Sequence, residues 1–273
     1  MKEALGVPRE LDGRAFYHRC TGRRHVSHRH AELEVNLALT GTATYVIDNK
    51  RFDLEPGTLL WLFPRQDHFL LDQSADFTMW IAVWRSRLLR RACTAPDTRP
   101  LRAQRPDFDF CRRIGQARVT RLELLFREAS VAEKAGDAGR ANVLLAYALL
   151  AAWDAHAAQE EILPGLDLHP AVERAVRLLR DRSETLGSGE LARHAGLSVS
   201  RLNRLFRRQT GVSLVAYRNR LRMNRFLDLY AGGARPKMLS AALEAGFGSY
   251  AQFHRVFRRM MGCSPRQYDF NGA

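Results

Sequence analysis

The sequence predicts an α+β multidomain protein: an N-terminal β-barrel or sandwich, a helical connector, and an all-α C-terminal domain. Three observations predict it. From about Ala15 to Trp84, short runs rich in β-branched and aromatic residues are broken by Gly, Pro and Asp-Asn turn signals. From Phe110 to His156 the apolar period becomes helical. After Pro170 the chain reads as helices joined by short Gly turns, and one stretch of it is written twice.

Composition narrows the class. With 273 residues, 46% hydrophobic and 26% charged, the chain has the make-up of a soluble globular protein with a sizeable core. Its longest apolar run, VLLAYALLAAW, is far short of a membrane span. The N-terminus MKEALGVPREL lacks the apolar stretch of a signal peptide. Cys20, Cys93, Cys111 and Cys263 are scattered, which argues against a disulfide framework or zinc finger and fits a reducing compartment. The expected location is the cytoplasm. The net charge of +14 is lopsided. Residues 1–168 hold 24 basic and 22 acidic side chains, whereas residues 169–273 hold 19 and 7. A segment that is basic on one third of a chain expects a polyanion, nucleic acid above all.

The N-terminal elements are LEVNLALTGTATYVID and RFDLEPGTLLWLFP, whose spacing suits a sandwich or barrel. TAPDTRPLRAQRPDFD reads as a Pro/Arg-rich connector. Ile114, Leu122, Leu125 and Phe126 mark one helix. Val143, Leu144, Tyr147, Leu150 and Ala151 mark another after KAGDAGR, and EEILPGLDLHP makes a second joint. The domains expected are 1–95, a connector with self-associating helices over 96–165, and a C-terminal domain over 166–273.

Within that last domain GLSVSRLNRLFRRQTG is echoed by GFGSYAQFHRVFRRMMG. Ala192 and Gly196 match Ala242 and Gly246 at an offset of 50; beyond the turn the offset is 51, pairing Leu202 with Phe253, Phe206 with Phe257, and Gly211 with Gly262. Each unit is a short helix, a Gly turn and a longer helix, the helix-turn-helix layout, over about 189–209 and 239–260. Ser198 and Ser249 are placed to cap the second helices. Leu202, Leu205 and Phe206, and then Phe253, Val256 and Phe257, form the buried stripes. Ser200, Arg201, Asn203 and Arg204, with Tyr250, Gln252, His254 and Arg255, face outward and are the candidate base-reading residues, since Arg can grip guanine and Asn adenine. Arg207, Arg208, Arg258 and Arg259, at the helix ends, suit phosphates. The intervening SLVAYRNRLRMNRFLDLY is a helix of roughly 26 Å at 1.5 Å per residue. As a strut it can set two recognition helices into successive major-groove faces, about 34 Å apart.

From ELARHAGLSVSRLNRLFRRQTG to AALEAGFGSYAQFHRVFRRMMGCSPRQY this domain resembles the DNA-binding domain of AraC/XylS-type transcription regulators over about residues 170–270. Asn224 stands where the family usually has Ala, and Ala241 where it has Ile; neither removes a base-facing residue. The resemblance implies binding to promoter or operator DNA, and contact with RNA polymerase if the chain activates. It also implies an effector-binding N-terminal domain and a connector that often dimerises.

The N-terminal region carries a second pattern, Gly22-x5-His28-x-His30-x3-Glu34-x6-Gly41. On a strand, residues 28, 30 and 34 share a face, and Leu33, Val35, Leu37 and Leu39 take the other. PGTLLWLFPRQDH then brings His68 after a Pro-Gly turn. The two segments resemble the cupin motifs, with Phe63 and Arg65 departing from the second. The full expectation for the fold is thus a cupin-like β-barrel or sandwich, a helical connector and two helix-turn-helix units. The resemblance implies that His28, His30, Glu34 and His68 hold either one divalent ion or a small-molecule effector, with Trp61 as a further wall of the pocket; three imidazoles and a carboxylate suit Fe, Mn, Ni, Zn or Cu. Two other classes compete with the regulator. A metal-dependent cupin enzyme with an appended nucleic-acid-binding domain would need a substrate-orienting acid/base set that the sequence does not display. A packaging protein explains the charge but not the repeated recognition helices.

Overall fold

The computed structural model describes residues 6–20, 30–64, 66–158, 161–181, 186–231, 237–268 and 270. His28 and Gly22 of the N-terminal pattern, and Arg65, lie outside the described residues.

Nine strands are described: β1 (Gly13–Arg19), β2 (Leu33–Thr40), β3 (Ala43–Ile47), β4 (Lys50–Leu54), β5 (Thr58–Leu62), β6 (His68–Leu71), β7 (Thr78–Trp84), β8 (Cys111–Arg113) and β9 (Leu166–Asp167). They form two antiparallel sheets, ordered β1-β7-β2-β5-β8 and β6-β3-β4-β9. Side-chain alternation decides what each face meets. On β2, Leu33, Val35 and Leu37 join Trp61, Trp80 and Trp84 in a core beneath the connector helices α1 (Ser86–Ala92), α2 (Gln116–Lys134) and α3 (Ala138–Ala157). The other face sends Ala38, Leu60, Leu62, Met79, Ile81 and Val83 against Ala43, Tyr45, Ile47, Phe52 and Leu70 of the second sheet.

Two boundaries differ from the expectation. Residues 111–113 and 166–167, read as connector and C-terminal domain, add edge strands to the sandwich by pairing with β5 and β4. Stretches this short carry no period, so only tertiary pairing reveals them.

The C-terminal domain contains α4 (Pro170–Asp181), α5 (Ser188–Ala195), α6 (Val199–Thr210), α7 (Leu214–Ala231), α8 (Met238–Glu244) and α9 (Tyr250–Met261). Helix α7 has 18 residues and spans about 27 Å. Its first half, with Leu214 and Tyr217, closes the core of unit one, and its second half, with Met223 and Phe226, closes that of unit two. Ala241 and Ala242 are fully buried in unit two, where small side chains let α8 come close to its neighbours. Asn224 is buried on α7. The core of unit one does not stop at the domain edge. It takes in Val46, Phe69 and Leu71 from the outer face of the second sheet. The layers therefore run connector helices, first sheet, second sheet, unit one.

Candidate functional site

The recognition helices α6 and α9 are built alike. Ser198 Oγ accepts from the Arg201 N–H at 3.3 Å, and Ser249 Oγ from the Gln252 N–H at 3.2 Å. These caps satisfy helix N–H groups that have no partner within the helix. The turns that lead in depend on Gly196 and Gly246, at φ +71° and +92°, a region that a side chain strains. Leu202 and Phe206, then Phe253, Val256 and Phe257, are buried as their spacing requires, while Leu205 is half-buried. Ser200, Arg201, Arg204, Tyr250 and Arg255 are exposed, and Asn203 and His254 half-exposed. Arg207, Arg208, Arg258 and Arg259 are exposed in the last turns. Among the described residues, none of these arginine side chains is held in an ion pair or hydrogen bond, so their charge is available to a polyanion.

Gln252 differs from the reading given to it. Its Oε1 accepts from the Gly248 N–H at 2.9 Å, completing a reciprocal cap with Ser249. That acceptor is turned to its own turn, away from a groove. The S-x-x-Q spacing is the sequence signal for this.

The second constellation lies inside the sandwich. Glu34 and Asn36 point inward from β2, Tyr45 from β3, and His68 from the first position of β6. His30 is not on the strand, which begins at Leu33. It reaches the site from the lead-in, with Nδ1 at 3.0 Å from the Glu32 carbonyl and Nε2 at 2.9 Å from Glu34 Oε2. Asn36 Nδ2 donates to Glu34 Oε1 at 2.7 Å. His68 Nδ1 stands 3.0 Å from the Gln66 carbonyl, and the two imidazole centroids are 5.3 Å apart. All these side chains are buried. Burial, with the Glu34 charge second, pushes the Tyr45 hydroxyl well above its ordinary pKa.

Trp61 is not part of this set. It lies on the opposite face of the first sheet, stacked 5.9 Å from Trp84 and edge-on to Trp153 at 5.9 Å. Parity places it there, because Trp61 pairs with Val35 whereas Leu62 pairs with Glu34. Asn36 and Tyr45, by contrast, were not singled out from the sequence. The signal was present: each shares strand parity with an inward neighbour.

The donor set has the chemistry of a metal site. A carbonyl can only accept, so the Nδ1 atoms of His68 and His30 donate to Gln66 and Glu32, which turns each Nε2 toward the site, the orientation a ligating imidazole uses. The contact between His30 Nε2 and Glu34 then requires one shared proton, or a cation in its place. Donor atoms of His30, Glu34 and His68 lie within 4.8 Å of one another. Two donors at about 2.1 Å from one ion are at most about 4.2 Å apart, so a small rotamer adjustment closes the site. The residues present fit a divalent ion.

Comparison with known proteins places both regions. Residues 11–93 match the family model "AraC-like ligand binding domain", and residues 191–269 match "Helix-turn-helix domain". The chain is 27% identical over 245 residues to the arabinose operon regulatory protein of Salmonella typhimurium, covering 86% of this chain and 82% of that one. It is 31% identical over 109 residues to the arabinose operon regulatory protein of Escherichia coli, covering 37% and 36%. Among solved structures, the C-terminal domain of AraT from Geobacillus stearothermophilus aligns at 25% identity over 37% of this chain and 84% of that one, TM-score 0.35. Apo ToxT K231A from Vibrio cholerae aligns at 12% identity over 94% and 97%, TM-score 0.39. The two family models cover most of the sandwich and most of the paired units, and the chain belongs to the AraC/XylS-type transcription regulators.

Proposed function

We propose that this regulator reads two neighbouring half-sites of a promoter or operator with α6 and α9 of a single chain. Ser200, Arg201, Asn203, Arg204, Tyr250, His254 and Arg255 would contact bases, and Arg207, Arg208, Arg258 and Arg259 phosphates. The observation that carries this reading is the duplicated capped helix with an exposed arginine face in both units. Gln252 supports the helix rather than the base contact. The domains that do this work are 1–95 for sensing, completed by the edge strands at 111–113 and 166–167, with 96–165 otherwise for connection and 166–273 otherwise for DNA binding.

The N-terminal pocket binds a small polar effector through His30, Glu34 and His68, with His28 as a further partner. A second reading, one divalent first-row ion on the same residues, is favoured by the clustering of their donor atoms and the inward turn of both Nε2 atoms; the ion would supply a fixed positive charge beside Glu34. An occupant acts only by binding one arrangement of sensor and reader better than another. The chain is a binding protein rather than an enzyme, works in the cytoplasm beside its DNA, and meets RNA polymerase where it activates. It self-associates through α2 and α3, whose Leu124, Val131, Val143 and Tyr147 are exposed. Within the described residues no helix is long and apolar enough to cross a membrane.

The test is selection of random duplexes by the full-length protein, with bound metal quantified on the same preparation. A bipartite motif with half-sites about one helical turn apart is expected. Stoichiometric metal with no enriched motif would instead favour a metal-dependent enzyme carrying a nucleic-acid-binding domain.

A further inference from the structure

Residues 67–71 face the reader and the sandwich interior in turn, and Asp72 meets the reader again. Asp67 forms an ion pair with Arg180 of α4. His68 points into the sandwich beside His30 and Tyr45. Phe69 points outward, its ring 5.1 Å from that of Tyr217, and the Arg180 guanidinium lies 5.5 Å over the Phe69 ring. The Leu70 side chain returns to the sandwich core, while its carbonyl accepts from Arg220 of α7 at 3.2 Å. Leu71 packs into the core of unit one. Asp72 lies against Gly211, the residue that ends recognition helix α6. Gly211 has φ +73°, and a Cβ there would strike the Asp72 side chain, so this approach needs glycine on both counts.

The same end of α6 is held from β4. Arg51 donates to the carbonyls of Arg208 and Gln209, at 3.1 and 3.2 Å. Those carbonyls are among the last of the helix and lack partners within it. The sensor thus holds the C-terminal end of a recognition helix while leaving its base-facing end exposed.

We propose that β6, with Asp67 and Asp72 at its ends, is the element that passes the state of the pocket to recognition helix α6. The proposal rests on the regulator reading for its purpose and on these contacts for its geometry. Two features suit β6 to the task. It is only four residues long and is an edge strand of its sheet, paired to β3 alone among the described strands, so a shift costs few ladder bonds. Its alternation also puts successive side chains in the pocket and in the reader, so a rotation that re-aims His68 must also re-aim Phe69. Among the described residues unit two shares no core residue with the sensor, and the signal reaches unit one first.

Amide hydrogen exchange of the full chain, without DNA or ligand, tests this directly. Two single variants open the same pocket from its two walls: His68→Ala on β6 and Asn36→Ala on β2. The relay predicts that His68→Ala raises exchange over residues 206–212 by about fivefold or more, the range of ordinary coupling energies, while Asn36→Ala leaves it within about twofold. No change with His68→Ala, or equal change with both variants, would overturn the proposal, the second result marking general loosening. Should His68→Ala fail to fold, Asp72→Ala carries the test from the other end, raising exchange over residues 66–71 by a similar factor if the relay holds and leaving it unchanged if it does not. A chain that shows the relay but enriches no duplex keeps the coupling and loses the regulator; the reverse result loses only the coupling.

Discussion

The two helix-turn-helix units are near copies in sequence and differ in surroundings. Unit one shares its core with Val46, Phe69 and Leu71 of the sensor, and its recognition helix ends against Arg51 and Asp72. Unit two closes its core with its own residues and α7, among them Phe226, Phe253, Phe257 and Met260. The same local chemistry therefore makes one reader that the sensor holds and one that, among the described residues, shares no core with it. Duplication supplies two contacts to DNA; the asymmetry of docking makes one of them available for control.

The largest expected effect separates the cores. Phe206→Ala and Phe257→Ala each remove a fully buried ring and should cost about 3–5 kcal/mol in denaturant unfolding. Only Phe206→Ala should also raise amide exchange in β6, because Phe206 packs 5.3 Å from Tyr217, which meets Phe69. Equal effects on β6 would erase the distinction. Next come Arg204→Ala and Arg255→Ala, each expected to cost about 1–3 kcal/mol of DNA affinity and to relax specificity at one base position in a repeated selection. Uniform loss across all sequences would reassign that arginine to phosphate.

Acid should set the connector face of the sensor apart from both readers. His156 is stacked on Trp153 at 5.2 Å, and burial, followed by the Arg112 charge, pushes its pKa down to about 4. The unfolded chain, with an ordinary histidine near 6.5, takes up this proton first. This stability is therefore present above about pH 6.5 and is lost as pH falls toward 4. Thermal midpoints should drop over that window in the native protein and drop less in His156→Gln. Among the described residues neither reader core contains a histidine, so the reader's own unfolding should follow pH less steeply. The smallest effect concerns the caps. Ser198→Ala and Ser249→Ala should each cost about 1 kcal/mol, read by urea unfolding. Gln252→Ala should add a loss in unit two, whereas Arg201→Ala should not in unit one, because only Gln252 returns a bond to its own turn.

Much of this was legible from local pattern. The repeat revealed both units because helix periodicity, capping serines and turn glycines are short-range features. The inward set of His30, Glu34 and His68 followed from motif spacing and was brought together in the structure. Trp61 was misassigned because an apolar residue near a motif does not announce its face; pairing register does. Strands β8 and β9 were missed because two or three residues have no period. The grip of Arg51 and Asp72 on α6 links residues more than 130 positions apart, and nothing in either stretch alone points to the other.

The central claim is that one chain reads two half-sites with two unequal units. Hydroxyl-radical footprinting of the full-length protein on its enriched duplex tests it most directly. Two protected patches on one face, about 10 base pairs apart, are expected, with the patch of unit one alone weakened by Arg204→Ala. A single patch, or protection spread evenly along the duplex, would contradict the account.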